Sequence, residues 1–376
     1  MAIPHATISF SNNQKFITWK NSIFENIGQI GQAQPNASQG ISILLDYLQL
    51  GSHSIDIYEG PALVYNHVWP NGEKKLVVQM CGEIIGEDPF WLKKFPFVEL
   101  SNNQSSYSLT KEVLSAYMPF TKHTGDTLFC SHNLHFGHFV ADNLPYLVTL
   151  SGLFGNSSPI SHFNSLPLSI LRELNQIGFT SNIFSRELTL NSRAGIISTS
   201  KLHHGYATDH LVKGFILQKL LHNSMYYPLN PITNASSPYV FLVRSSNYGS
   251  RISNFNEISN ELKKLEFRAI ELDSMTLLDC KNKLASAKLV VAESGTTSLI
   301  AAICMKASAT LISLQPDILM ASPSSEMIVS GLPYVLCYHK SIKVFTGNAI
   351  NNHAIQSSRI AYYNPTALLK LVNRLI

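Results

Sequence analysis

Three short segments concentrate the side chains able to do chemistry. In "HFGHFVADNLPYL" (135–147), His138 and Asp142 stand four residues apart inside an otherwise apolar and aromatic run. On a helix that spacing puts both on one face, and either group is costly to bury without a partner. The pair is therefore either a hydrogen-bonded core pair or an acid/base couple lining a cleft. In "VRSSNYGSR" (243–251), Arg244 and Arg251 flank a Ser/Asn/Gly loop that leads to Asn256 and Glu257. Guanidinium groups bind phosphate oxygens bidentately, while the plainer role for Arg244 is pairing with a carboxylate at a sheet edge. In "VVAESGTTSLIAA" (290–302), an apolar strand runs into Glu293, Ser294, Gly295, Thr296 and Thr297 and then into a helix. Free amides at such a helix start favour an anion, and a carboxylate just after the strand could accept ribose hydroxyls. Simple capping by Ser294 or Thr296 is compatible with both.

The elements that must position these residues alternate cleanly in the last third. "YVFLV" reads as a strand, "NEISNELKKLEF" as an amphipathic helix, "RAIEL" as a strand and "TLLDCKNKLASA" as a helix. "KLVVA", "TTSLIAAICMK" and "ATLISL" continue as strand, helix and strand. Strands separated by helices of this length make a parallel sheet, whose ligands sit outside the carboxyl ends of the strands. A single Gly295 is not a GxGxxG fingerprint, which disfavours a nicotinamide enzyme.

Upstream, "SIDIYEGPALVYNHVWP" and "KKLVVQMCGEIIGE" read as strands, so the first 130 residues are mixed and partly β. From about 136 to 230 the pattern is more helical, with "LPLSILRELNQIG" and "DHLVKGFILQKLLHNSMYY" spaced in threes and fours. "PLNPITNASSP" (228–238) is the best linker, which divides the chain into an N-terminal domain over 1–230 and a Rossmann-like domain over 231–376.

The 376 residues are long enough for two such domains, and 45% hydrophobic residues mark a globular chain. A formal net charge of +4 without any run of Lys or Arg fits a small anionic ligand better than nucleic acid. Five scattered cysteines without a CxxC pair suggest neither a disulfide framework nor a zinc site and fit a reducing compartment. His132, His135, His203 and His204 read as structural or surface residues. The N-terminus has no signal-peptide pattern, and no apolar run reaches the ~18 residues of a membrane span, so a cytosolic protein is expected. No GxSxG is present, against a serine hydrolase.

Gly137, His138, Asp142, Leu144 and Pro145, followed by Arg244, Arg251, Asn256 and Glu257 and the strand into "ESGTTS", resemble glycosyltransferase family 61 over roughly residues 125 to 315. That resemblance implies two Rossmann-like domains facing a cleft, of the GT-B type, and inverting transfer from a nucleotide sugar without a resident cofactor. It implies Asp142 as base with His138 orienting it or sharing the role. It places Arg244, Arg251, Asn256, Glu257, Glu293, Ser294, Gly295, Thr296 and Thr297 at the donor. The family's bacterial members imply an oligosaccharide or lipid-linked glycan acceptor in surface polysaccharide synthesis, in the cytoplasm, with peripheral membrane association. No Asp-x-Asp is found, so the leaving diphosphate is left to Arg, helix amides and hydroxyls rather than to a metal held by that motif. Ser294 stands where the family usually has His. The runner-up reading is a noncatalytic glycan- or nucleotide-binding assembly protein.

Overall fold

The computed structural model describes residues 6–33, 38–50, 53–68, 74–80, 83–85, 98–100, 107–109, 121–129, 136–154, 160–162, 166–179, 181–183, 188–198, 210–222, 227, 237–244, 249–272, 275–317, 335–336, 338–339, 341–350 and 360–376. By contacts the chain divides into two compact units. One joins Met1–Asn13 to Ser52–His204; the other joins Gln14–Gly51 to Gly205–Ile376. This partition departs from the expected linear split at residue 230, because N-terminal helices belong with the C-terminal sheet.

In the first unit, β1 (Ala6–Ser9), β2 (Ser54–Val68), β3 (Lys74–Met80), β4 (Glu83–Ile85), β7 (Thr121–Phe129), β8 (Ile160–His162), β9 (Ser181–Ile183) and β10 (Leu188–Ser198) form one sheet. A separate pair is formed by β5 (Val98–Leu100) and β6 (Tyr107–Leu109). The large sheet runs β4-β3-β2-β10-β7-β8-β9, with β1 also on β2. Strands β1 to β4 pair antiparallel, and β10 pairs antiparallel with β2. The pairs β10–β7, β7–β8 and β8–β9 are parallel.

After β7 come α3 (Phe136–His138), a π-helical turn (Phe139–Asn143) and α4 (Leu144–Phe154); α5 (Leu168–Gln176) joins β8 to β9. The parallel part is thus ordered β9-β8-β7-β10, the third, second, first and fourth strands in chain order. That is the nucleotide-fold order whose reversal point lies between β7 and β10. Helix outweighs strand among the described residues of 136–230, as the sequence pattern suggested, but strands that it did not show are present too. Three strands lie within this range, two of them only three residues long and too short for a periodicity window.

The second unit carries α1 (Gln14–Ala33), α2 (Ser38–Leu50), α6 (His210–His222) and a six-stranded sheet. Its members are β11 (Tyr239–Val243), β12 (Arg268–Glu271), β13 (Leu289–Ala292), β14 (Thr310–Pro316), β15 (Ile342–Ala349) and β16 (Ala361–Tyr362), in the order β12-β11-β13-β14-β15-β16. The first five strands are parallel and β16 is antiparallel on β15. Helices α7 (Phe255–Lys264), α8 (Leu277–Leu284) and α9 (Thr296–Cys304) connect the first four strands, and α10 (Pro365–Asn373) ends the chain.

Every residue of β13 is buried, as a central parallel strand requires when both faces are covered. The helix α7 buries Ile258 and Leu262, with Glu257 in its first turn and Lys263 and Lys264 in its last, matching its dipole. A reciprocal Thr276/Asp279 capping box starts α8. The early helices join this unit through aromatic packing. Phe16 and Trp19 of α1 lie 5.3 and 5.8 Å, ring to ring, from Phe215 of α6. Phe16, Trp19, Ile23, Ile27 and Ile30 are all buried, a spacing of three and four that the sequence did display.

The linker proposed at 228–238 lies inside the second unit; of it, only Ser237 and Pro238 are described. Among the described residues, no helix is long and apolar enough to cross a membrane.

Candidate functional site

Within the second sheet, β11 is the first strand in the chain, β12 lies on one side of it and β13 on the other. The order reverses between β11 and β13, and the crevice at their carboxyl ends is where such a fold receives ligands. Described residues of two segments singled out by sequence lie there: Arg244, Ser250 and Arg251 after β11, and Glu293 to Gly295 after β13.

The two segments are tied together. Glu293 is 0% exposed. Its Oε1 accepts the Arg244 backbone N–H (3.2 Å), and its Oε2 accepts the Arg251 N–H (2.8 Å) and the Ser250 hydroxyl (3.1 Å). Burial pushes this carboxyl above its ordinary range; the two amides, the hydroxyl and the Arg244 charge pull the other way. In return, Arg251 Nη1 donates to the Ser294 carbonyl at 2.9 Å. Gly295 has φ 90°, and a Cβ there would stand 2.3 Å from Arg251 Nη1. Glycine therefore fits both the backbone and the guanidinium laid against it.

The far side of the Arg251 loop rests on β16. Ala361 N–H donates to Arg251 O (3.0 Å), and Ser253 N–H to Ala361 O (2.9 Å). Asn254 Nδ2 donates to Tyr363 O (2.8 Å) and to Glu257 Oε2 (2.9 Å), while Tyr363 N–H returns to Asn254 Oδ1 (3.2 Å). Tyr363 is buried, which pushes its phenol far above its ordinary value; the Glu293 charge adds to this and Arg251 opposes it.

Behind the turn, polar groups form a buried line. Gln315 Nε2 donates to Ser313 Oγ (2.7 Å), Ser313 Oγ to Ser298 Oγ (2.9 Å), and Ser298 Oγ to the Glu293 carbonyl (2.6 Å). Ser294 Oγ and Gln315 Oε1 are buried with no hydrogen-bond partner among the described residues.

Of the residues expected at a donor, the structure brings Arg244, Arg251, Glu293, Ser294 and Gly295 together, at the start of α9 where Thr296 is exposed and Thr297 buried. Asn256 and Glu257 are exposed on the first turn of α7. Sequence reading missed Ser250, Asn254, Ser298, Ser313, Gln315 and Tyr363. The one available signal was Ser313 and Gln315 two apart in an apolar strand, on the same face. Amides at a helix start, with a guanidinium beside them, make an environment for an anion.

In the first unit, His138 ends α3 and Asp142 lies in the π-helical turn, immediately after β7 and next to the other strand-order reversal. Their side chains lie outside the described residues. Around them Phe139, Val140, Ala141, Asn143, Leu144 and Leu147 are buried. A π turn is rare and is frequently found at functional sites.

Residues 136–312 match the family model Glycosyltransferase 61. The match starts at α3 and ends inside β14, so both chemically loaded regions fall within it. This supports a glycosyltransferase, an enzyme that takes a sugar donor and a glycan acceptor. No curated protein matches the chain.

Proposed function

We propose that this glycosyltransferase moves a sugar from a nucleotide-sugar donor to an oligosaccharide or lipid-linked glycan during bacterial surface polysaccharide synthesis. The observation that carries the donor assignment is the strand-order reversal between β11 and β13, where Arg244, Arg251 and the amino end of α9 meet. Arg244, Arg251, Ser294, Gly295, Thr296 and Thr297 serve the diphosphate, and Asn256 and Glu257 lie beyond it on α7. The GT-B type of architecture, action in the cytoplasm and peripheral membrane association belong to the same proposal.

The reaction is a single displacement. A base in the π-helical segment, Asp142 with His138, takes the proton of an acceptor hydroxyl as that oxygen attacks the anomeric carbon. The bond from that carbon to the diphosphate oxygen breaks, and its electron pair leaves on the phosphate, so configuration inverts. Guanidinium and helix amides stabilise the departing charge. With the leaving group held by protein groups, activity survives EDTA.

A thermal-shift series with UDP-, GDP- and CMP-sugars tests the donor reading. Binding at a hundred times Kd stabilises the folded state by about 2.7 kcal/mol. Arg244→Ala then weakens binding about ten- to a hundredfold, the worth of a charge-assisted contact. A wild-type protein that none of these donors stabilises refutes the reading. Binding of a donor without turnover on any glycan acceptor would instead favour the noncatalytic assembly role.

A further inference from the structure

Three donors from one loop converge on a single carboxylate. Arg244 N–H, Ser250 Oγ and Arg251 N–H all reach Glu293 from 49, 43 and 42 positions away in sequence. The opposite end of the same residue is fixed as well. The Glu293 carbonyl accepts the Ser298 amide (3.1 Å) and the Ser298 hydroxyl, which continues into Ser313 and Gln315 of β14. Glu293 thus joins the loop after β11 to the first turn of α9. The return bond from Arg251 Nη1 to Ser294 O closes the connection in the other direction.

We propose that Glu293 is a positioning residue for donor binding, holding Arg244, Ser250 and Arg251 with its guanidinium in register with the amino end of α9. This rests on the donor reading given above. With no exposed surface, Glu293 acts through these groups rather than by touching the donor. A carboxylate suits the task because it accepts at both oxygens and donates at neither, so two amides and a hydroxyl are served at once. A carboxamide keeps one acceptor oxygen and turns an N–H₂ toward a remaining donor. Aspartate is one methylene too short to reach the same three groups. Three hydrogen bonds offset part of the cost of burying this carboxyl.

The test uses the full chain with UDP, GDP and CMP as probes, titrated by calorimetry into wild type, Glu293→Gln, Glu293→Ala and Ser250→Ala. The nucleotide that wild type binds is expected to bind Glu293→Gln about ten- to a hundredfold more weakly. Ser250→Ala, which removes one neutral donor and leaves both amides, should weaken it about two- to tenfold. It keeps the proposal testable if Glu293→Ala does not fold. Hydrogen exchange on the same proteins should show the Arg244 and Arg251 amides opening selectively in Glu293→Gln, while the amides of β14 stay protected. A merely structural residue would instead speed exchange throughout the sheet. If wild type binds a nucleotide and Glu293→Gln binds it equally well, the positioning role is overturned and the donor reading stands. If wild type binds none of the three, the donor reading falls and this role falls with it.

Discussion

Substituting Gly295 by alanine isolates how much the joined loops contribute to stability. Two terms add. The first is backbone strain: φ 90° with ψ −140° is close to territory that only glycine occupies readily, and a side chain there costs about 1–3 kcal/mol. The second is steric, since the new methyl would lie 2.3 Å from Arg251 Nη1 and 3.1 Å from its Cζ. The guanidinium must move, and its bond to the Ser294 carbonyl is lost. For a charged donor that bond is worth about 1.5 kcal/mol, the lower end of the range, because Arg251 is only half-buried and water can replace part of it. The total is about 2.5–4.5 kcal/mol, which lowers the Tm of a domain of this size by about 5–18 °C. Gly249→Ala is the control. That glycine also has positive φ, 66°, but nothing lies within 4 Å of its added Cβ, so it carries strain without collision. Circular dichroism melts of the two variants should separate clearly, with Gly295→Ala the less stable. Equal melting temperatures would refute this reasoning by showing that the Arg251 side chain does not rest against Gly295.

Three other perturbations give defined outcomes. Asp142→Asn should retain donor binding and lose about 10²–10⁴ in turnover, measured as transfer on identified substrates; parental turnover would remove Asp142 as base. Lys281, half-buried on α8, donates to the carbonyls of Leu221 and Tyr227. Lys281→Met leaves both carbonyls without that donor and should cost about 1–2 kcal/mol, a drop of several degrees in a thermal melt, whereas an unchanged melt would show the contact to be idle. His339 is buried with Nδ1 accepting the Ser341 amide and its other nitrogen bonded to the Lys306 carbonyl, and burial pushes its imidazole below the ordinary value. Its folded pKa being lowered, the stability it supplies is present above the unfolded value of about 6.5 and is lost as pH falls below it. Tm measured from pH 8 to 5 should therefore fall more steeply in wild type than in His339→Gln, and parallel curves would contradict this.

The alternation from Tyr239 to Pro316 could be read directly because each element there follows one local period. The strands are short, two of them apolar throughout, and the helices between them show spacings of three and four. The helix from Gln14 to Ala33 was equally periodic, yet its membership in the second unit could not be read, since that depends on contact with Phe215 almost two hundred positions later. The strands of 181–183 and 188–198 were hidden for the opposite reason. One is too short for a period, and the other, "LTLNSRAGIIS", breaks its register between Asn191 and Ala194.

At the candidate site, residue types in order were enough to identify a guanidinium loop and an anion-favouring helix start, because strand, turn glycine and helix follow each other locally in "VVAESGTTS". What each group touches there depends on folding. Sequence allowed Glu293 to be a ribose acceptor; the sheet order placed it beside the β11 loop, and two backbone amides that carry no sequence signature took its oxygens. Likewise, only the approach of Arg251 showed that Gly295 must lack a side chain for steric as well as conformational reasons. Local chemistry is written along the chain, whereas a buried hydrogen bond between residues more than forty positions apart exists only once β11 and β13 lie side by side.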